Sequence, residues 1–270
     1  MQWTKWDLYT ADVKKKMGDY WSRIVTPLAI EDPKNGGQAI GTGTYIRLGD
    51  DDFLLTADHV LIEARGRTLA HLPIANGYFH NIDCFRTKEH PIDAAVAPIK
   101  SWPDGADRTF LLHEALGEFF DPVENEVLFG IGHPATTKGR NDPVSFTGNR
   151  VELFNTINTP AFPFLCLLRQ NDDFEDSAFN SRFHFLIDFP ETSNPPHSGT
   201  FVNPAGLSGS LIWDTKARRA WDKNESWEPE MARVCGLVIR ATMGRHPQVL
   251  IATKVECLQS FFRNFGLIDV

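Results

Sequence analysis

Apolar and polar positions alternate over short stretches along most of the chain, and turn-forming residues separate these stretches. Residues 41–48 alternate, residues 49–52 form a Gly/Asp turn, and residues 53–56 are again apolar, which together predict a β-hairpin. Further strands are predicted at residues 78–86, 94–99, 126–131, 144–154, 164–168, 183–189, 210–213, 234–240 and 248–253. Many short strands separated by Gly, Pro and Asn are typical of an all-β sandwich or barrel.

The two ends of the chain have helical spacing instead. Apolar residues recur every three or four positions within the first 22 residues, with lysines between them. Near the other end, Val255, Leu258 and Phe262 share one helical face, and Gly266 predicts where that helix ends. Two polar stretches, residues 171–182 and 215–233, predict surface insertions between strands.

Composition describes an ordinary globular chain with an acidic balance. Its 270 residues are 42% hydrophobic and 23% charged, enough for one large domain or two small ones. The formal net charge is −8, whereas nucleic acids and anionic membranes attract clustered Lys and Arg. We therefore expect neither nucleic acid nor a membrane as a partner.

The cysteines and the N-terminus bear on the cellular compartment. None of the four cysteines forms a CxxC pair, and each has apolar neighbours, which predicts buried, reduced thiols. The first residues are charged and lack the apolar run of a signal peptide, and no stretch approaches the ~18 apolar residues of a membrane span. A cytoplasmic protein is expected. The histidine spacings fit no common metal motif, so no metal is expected.

Three segments carry the residue types of a nucleophilic catalytic site. His59 follows an apolar strand and a small-residue turn, and Asp93 opens an apolar strand. Ser208 lies between Gly206 and Gly209, directly before another apolar strand. Each also has a plain structural interpretation: a packed histidine, an Asp that caps a turn, and a Gly/Ser turn.

The chemistry explains why these residue types belong together. A serine hydroxyl is a poor nucleophile unless an imidazole accepts its proton and a carboxylate orients that imidazole. The reaction also requires donors for the developing oxyanion. A tight turn would aim the backbone N–H groups of Gly206 and Ser208 at one point, where a side chain at Gly206 would block the approaching carbonyl.

Taken together, the three segments resemble the trypsin-like serine peptidases. Residues 41–46 and 54–59 are similar to that family's GTG strand and TAAH motif, residues 93–96 to its Asp segment, and residues 206–210 to its GxSGG turn. Residues 130–134 look like a stretch of the bacterial Deg-type members. The resemblance spans about residues 23–265 in the order His, Asp, Ser.

The resemblance implies a fold and a division of the chain. It implies two antiparallel six-stranded β-barrels, at residues 23–120 with His59 and Asp93 and at residues 121–253 with Ser208. An N-terminal helix at residues 1–22 and a C-terminal helix at residues 254–270 flank them. It further implies a serine endopeptidase that cleaves a protein or peptide substrate through an acyl-enzyme and uses no cofactor.

The same resemblance predicts where the side chain of a substrate would bind. The pocket floor is expected a few residues before Ser208 and its wall on the strand after residue 234. The predicted lining is Thr200, Phe201, Val202, Ile239, Arg240 and Ala241. Phe201 and Val202 favour an apolar or shallow pocket over one that accepts Arg or Lys.

Three residues depart from the family pattern. Asp58 stands beside His59, where it would raise the pKa of the imidazole if it faced the cleft. Leu207 replaces the acidic residue used in zymogen activation, which argues against that mode of activation, and Ser210 replaces a glycine. Two alternatives therefore stay open: a catalytically silent binding module, and a peptidase that is silent until a regulatory protein partner docks, with the N-terminal helix as a docking element.

Overall fold

The structure is a computed structural model. It describes residues 3–30, 38–65, 69–71, 80–81, 86–100, 102, 109–134, 144–147, 150–153, 161–170, 174–189, 204–242 and 249–268. The helices are α1 (Lys5–Trp21), α2 (Asp58–Glu63), α3 (Ala217–Asp222) and α4 (Val255–Asn264), with 3-10 turns at Ser22–Ile24, His113–Ala115 and Pro229–Met231.

Sixteen strands are described, and most are short. They are β1 (Val25–Ile30), β2 (Gln38–Leu48), β3 (Asp51–Thr56), β4 (Leu69–His71), β5 (His80–Asn81), β6 (Arg86–Lys88), β7 (Ala94–Pro98), β8 (Leu111–Leu112), β9 (Leu128–Gly132), β10 (Val144–Thr147), β11 (Arg150–Leu153), β12 (Phe162–Arg169), β13 (His184–Asp188), β14 (Leu211–Asp214), β15 (Arg233–Ala241) and β16 (Val249–Lys254). Within the predicted strand at residues 144–154 the structure has two strands, β10 and β11, which pair antiparallel with each other.

The C-terminal strands close into an antiparallel barrel in the order β12-β13-β16-β15-β14-β9. Because successive strand residues face opposite sides, β14 sends Ile212 into the barrel interior and Leu211 and Trp213 outward. The interior also holds Phe164 and Leu207. This six-stranded barrel agrees with the expectation for the second half of the chain.

The N-terminal strands form an eight-stranded sheet in the order β5-β4-β1-β2-β3-β7-β6, with β8 added in parallel to β2. The pairings among the described residues do not close this sheet into the six-stranded barrel that was expected. Alternation in the sequence predicts that strands exist but not which strands pair. It therefore does not predict how many strands the N-terminal sheet has or whether that sheet closes. Tyr45 and Leu54 belong to the core of this sheet.

A third apolar core joins the two β units and the helices. Ile46 and Leu55 from the N-terminal sheet and Phe129 from the barrel meet there. Helix α1 adds Val13, Met17 and Trp21, and the Trp21 ring stacks on Trp213 with centroids 4.3 Å apart. The N-terminal helix is therefore packed against its own chain along this face.

The helix ends follow from local chemistry. Thr4 caps α1: its hydroxyl accepts from the Asp7 amide at 3.1 Å, and the Asp7 carboxylate accepts from the Thr4 amide at 2.8 Å. Gly266, with φ of 62°, follows α4 in the left-handed region that favours glycine. Residues 215–233, predicted as a surface insertion, contain α3 and bury Trp227.

The structure also bears on the predictions about the cysteines and about membrane-spanning segments. Cys166, Cys235 and Cys257 are free thiols, and the first two are buried, whereas Cys84 lies outside the described residues. Across the described ranges, no helix combines the length and the apolar character needed to cross a membrane.

The packing of α1 makes a testable prediction about stability. Met17 is fully buried and Leu8, on the same helix, is 61% exposed. Met17→Ala should lower the free energy of unfolding by about 2 to 5 kcal/mol, because it leaves a cavity in the shared core. Leu8→Ala is the matched control and should change it by less than about 0.5 kcal/mol. Urea denaturation measures both, and equal effects would show that α1 does not pack as described.

Candidate active site

His59 lies in the first turn of α2, directly after β3. The first N–H groups of a helix have no partner inside the helix. The His59 amide finds one in Asp93 Oδ1 at 2.9 Å, and the imidazole Nδ1 lies 2.8 Å from Asp93 Oδ2. The imidazole is 42% exposed, so its other face reaches solvent. One carboxylate thus fixes both the backbone and the ring of His59.

Asp93 precedes β7 and has φ of 48°, a left-handed conformation that non-glycine residues rarely adopt. Such a conformation persists where the surroundings hold it. Two side chains of the barrel do so: His184 Nε2 donates to the Pro91 carbonyl at 2.5 Å, and Thr253 Oγ1 donates to the Ile92 carbonyl at 2.8 Å. The barrel therefore holds the loop that presents Asp93.

Ser208 lies on a turn that enters β14. Gly206 and Gly209, on either side of it, have φ of 89° and 92°. A Cβ at Gly209 would lie 2.0 Å from the Thr42 carbonyl oxygen, so only glycine fits this close approach. The N–H groups of Gly206 and Ser208 donate to no other group in the described part of the chain.

The turn is docked onto β2 of the N-terminal sheet. The Thr42 amide donates to the Ser208 carbonyl at 2.9 Å, and the Thr42 hydroxyl donates to the Gly206 carbonyl at 2.8 Å. Thr56 Oγ1 in turn donates to the Thr42 carbonyl at 2.8 Å, and Thr56 lies three residues before His59. One short stretch of β2 therefore brings Ser208 and His59, from the two β units, to the same junction.

The arrangement assigns chemical roles to the two imidazole nitrogens. An ionised carboxylate only accepts hydrogen bonds, so Nδ1 carries the proton toward Asp93 and Nε2 keeps its lone pair. No hydrogen bond joins Ser208 Oγ to His59 among the described residues. Unliganded active sites commonly hold this contact long and tighten it around substrate. The site thus contains an imidazole, the carboxylate that orients it, a serine and two amides that have no partner among the described residues.

The three departures from the family pattern have defined positions. Asp58 is buried; this burial raises its pKa, and the charges of Asp93 and Glu89 raise it further, against the opposing effects of His59 and a hydrogen bond with Thr87. Leu207 is packed inside the barrel, and Ser210 Oγ is buried and has no hydrogen-bond partner in the part of the chain that the structure describes. An apolar contact thus anchors the turn where zymogen-type members carry an acidic residue.

The predicted substrate pocket is described only in part. Thr200, Phe201 and Val202 lie outside the described residues, so the apolar floor stays a prediction. Ile239 is buried and packs against Leu186 and Ile251, so it would present its backbone rather than its side chain. Arg240 is half exposed, with its Nε 3.8 Å from Asp176 Oδ2, and Ala241 is partly buried. The described residues contain no group of three or more metal-ligating side chains.

Sequence reasoning missed Thr42, His184 and Thr253. Thr42 had a signal, because it stands between Gly41 and Gly43 in the stretch that resembles the family's GTG strand. His184 and Thr253 had none: each acts on a carbonyl more than 90 residues away in the sequence, with separations of 93 and 161 residues.

Comparison with known proteins defines the class of fold. At the level of sequence, no family profile and no curated protein matches the chain. Among solved structures, the inactivated protease paralogue S-I1 of the scabies mite has a TM-score of 0.56 at 12% identity, over 94% of this chain and 98% of its own. The thermostable serine protease AL20 of an extremophilic microorganism has a TM-score of 0.53 at 11% identity, over 93% and 100%.

The chain therefore has the fold of these two proteases. At 11–12% identity the likeness shows the fold alone, and one of the two neighbours is named as an inactivated paralogue. The trypsin-like family, the closer resemblance to bacterial Deg-type members, the activity and the cytoplasmic location stay predictions.

His133 directly follows β9 and contacts Thr42, so its protonation can be used to test how the two β units pack. Its amide donates to Thr42 Oγ1 at 2.9 Å, and its buried Nε2 has no hydrogen-bond partner within the ranges that the structure describes. Burial lowers the pKa of His133 to about 4, which a hydrogen bond to the Val25 backbone only partly offsets. The folded chain therefore keeps this imidazole neutral at pH values where the unfolded chain protonates it.

This histidine predicts acid sensitivity. Between pH 6.5 and 4 the unfolded state binds more protons at His133, so stability falls as pH falls. From pH 7 to pH 5 the loss from this group should be about 2 kcal/mol. His133→Gln should remove most of that loss in urea melts at the two pH values, whereas the control His113→Gln, at an exposed position, should retain it. An unchanged pH dependence in His133→Gln would contradict burial of the imidazole.

Proposed function

We propose that the chain is a serine endopeptidase in which Ser208, His59 and Asp93 act as the catalytic triad. One observation carries the proposal: the Asp93 carboxylate accepts from both the amide and the ring of His59, beside the strand on which the Ser208 turn is docked. A packed surface histidine would not need its backbone and ring held by one carboxylate. A plain Gly/Ser turn would not need two glycines with positive φ against a neighbouring strand.

The proposed reaction begins with attack of Ser208 Oγ on the carbonyl carbon of a peptide bond. His59 Nε2 accepts the serine proton, while Asp93 keeps Nδ1 protonated and stabilises the imidazolium. The free amides of Gly206 and Ser208 bind the oxyanion, and such donors contribute about 3 to 4 kcal/mol each. The imidazolium then gives its proton to the leaving amine, and water hydrolyses the acyl-enzyme by the same route.

A second candidate function is a catalytically silent binding module with the same fold. It is favoured because no hydrogen bond joins Ser208 to His59 among the described residues, and because one structural neighbour is named as an inactivated protease paralogue. Catalysis is favoured by the exposed imidazole and by the amides of Gly206 and Ser208, which donate to no group in the described part of the chain, because a silent module has no use for them. We also propose that a regulatory protein partner brings Ser208 Oγ and His59 into hydrogen-bonding distance.

A fluorophosphonate probe decides between these functions. The full chain should be phosphonylated at Ser208, and Ser208→Ala should abolish the label without changing the thermal melting temperature. Asp93→Asn should slow labelling by up to about 10⁴-fold, because the imidazole then takes the wrong tautomer. Intact-mass spectrometry and peptide mapping provide the readout.

The matched control is Ser260→Ala, which removes an exposed serine of α4 and should leave labelling unchanged. Label that persists in Ser208→Ala would assign the reactivity to another residue. Wild-type chain that takes no label, alone or with added cell extract, would favour the binding module.

A further inference from the structure

Thr42 uses all of its polar atoms at the junction between the two β units. It is fully buried on β2, between Gly41 and Gly43. Its amide donates to the Ser208 carbonyl, and its own carbonyl accepts from Thr56 Oγ1. Its hydroxyl contacts two further groups, the Gly206 carbonyl at 2.8 Å and the His133 amide at 2.9 Å.

The direction of these hydroxyl bonds is fixed by the partners. A backbone N–H only donates and a carbonyl only accepts, and a threonine hydroxyl has a single proton. The His133 amide therefore donates to Thr42 Oγ1, and the hydroxyl proton is directed to the Gly206 carbonyl. This leaves the hydroxyl with one orientation rather than a choice of rotamers.

Two peptide groups of the turn are hydrogen-bonded at both their carbonyl and their N–H. In the peptide 206–207, the carbonyl accepts from Thr42 Oγ1 and the Leu207 amide donates to Pro204 O at 3.1 Å. In the peptide 208–209, the carbonyl accepts from the Thr42 amide and the Gly209 amide donates to Val238 O at 2.8 Å. The Ser208 amide lies between these two peptides and the Gly206 amide directly precedes the first, and neither donates a hydrogen bond within the described residues.

The geometry points to Thr42 as a positioning residue that holds the Gly206 and Ser208 amides in the orientation needed to bind an oxyanion. The inference rests on the proposed function for its catalytic consequence. Thr42 draws two carbonyls of the turn away from the site, so that their negative ends do not face the developing charge. The hydroxyl does this for a glycine, whose peptides rotate most easily.

Thr42→Val isolates the hydroxyl. Valine keeps the shape of threonine and its backbone amide, but leaves the Gly206 carbonyl without its donor and frees the peptide 206–207 to rotate. Thr42→Ser keeps the hydroxyl and loses only a methyl group. The matched control is Thr44→Val, two residues along the same strand, because Thr44 is equally buried and its hydroxyl has no hydrogen-bond partner among the described residues.

The first measurement is the kinetics of the full chain with a fluorophosphonate and with a cleavable peptide. Thr42→Val should reduce the rate of phosphonylation and kcat on the order of 10- to 100-fold, with KM changed less than about twofold, since only transition-state binding is impaired. Thr42→Ser and Thr44→Val should stay near the wild-type rates. A Thr42→Val chain that is folded and reacts at the wild-type rate would overturn the inference.

The second measurement does not depend on catalysis. Amide hydrogen exchange at Leu207 should accelerate at least tenfold in Thr42→Val, because its peptide is no longer held at the carbonyl. Exchange at Gly209, which is held by Val238, should stay unchanged. If the wild type takes no label, the proposed function fails while Leu207 exchange still tests the positioning role. Unchanged Leu207 exchange in Thr42→Val would refute that role on its own.

Discussion

The hydrogen bond from the Thr42 amide to the Ser208 carbonyl joins the two β units at the point where chemistry is proposed. It connects a strand of the N-terminal sheet to the turn that enters the C-terminal barrel. His59 reaches the same place because β3 pairs with β2 and Thr56 hydrogen-bonds to Thr42. Without this docking, no hydrogen bond would tie the Ser208 turn to the strand that lies beside His59 in the described structure.

Contacts in the opposite direction complete the arrangement. The barrel holds the loop before Asp93 through His184 and Thr253, while the N-terminal sheet holds the turn around Ser208 through Thr42. The barrel therefore helps to orient Asp93, which precedes a strand of the N-terminal sheet, and the N-terminal sheet helps to orient Ser208, which precedes a strand of the barrel. The shared apolar core, with Trp21 stacked on Trp213, keeps the units in register. Leu207, inserted in the barrel, anchors the turn by apolar packing.

The features of the site that depend on neighbouring residues could be predicted from the sequence. The strand that precedes His59, the apolar strand after Asp93 and the glycines around Ser208 each leave a pattern within a few residues. The closure of one sheet and not of the other, among the described pairings, depends on which strands meet. The roles of Thr42, His184 and Thr253 depend on partners 93 to 164 residues away, which alternation and turn signals do not encode.

A crystal structure of the full chain after reaction with a phosphonate inhibitor would test the proposed site most directly. The proposed mechanism predicts phosphorus bonded to Ser208 Oγ, with the phosphoryl oxygen about 3 Å from the amides of both Gly206 and Ser208. It also predicts that His59 Nε2 faces the serine oxygen while Nδ1 remains on Asp93. An adduct on another residue, or a phosphoryl oxygen that points away from those two amides, would contradict it.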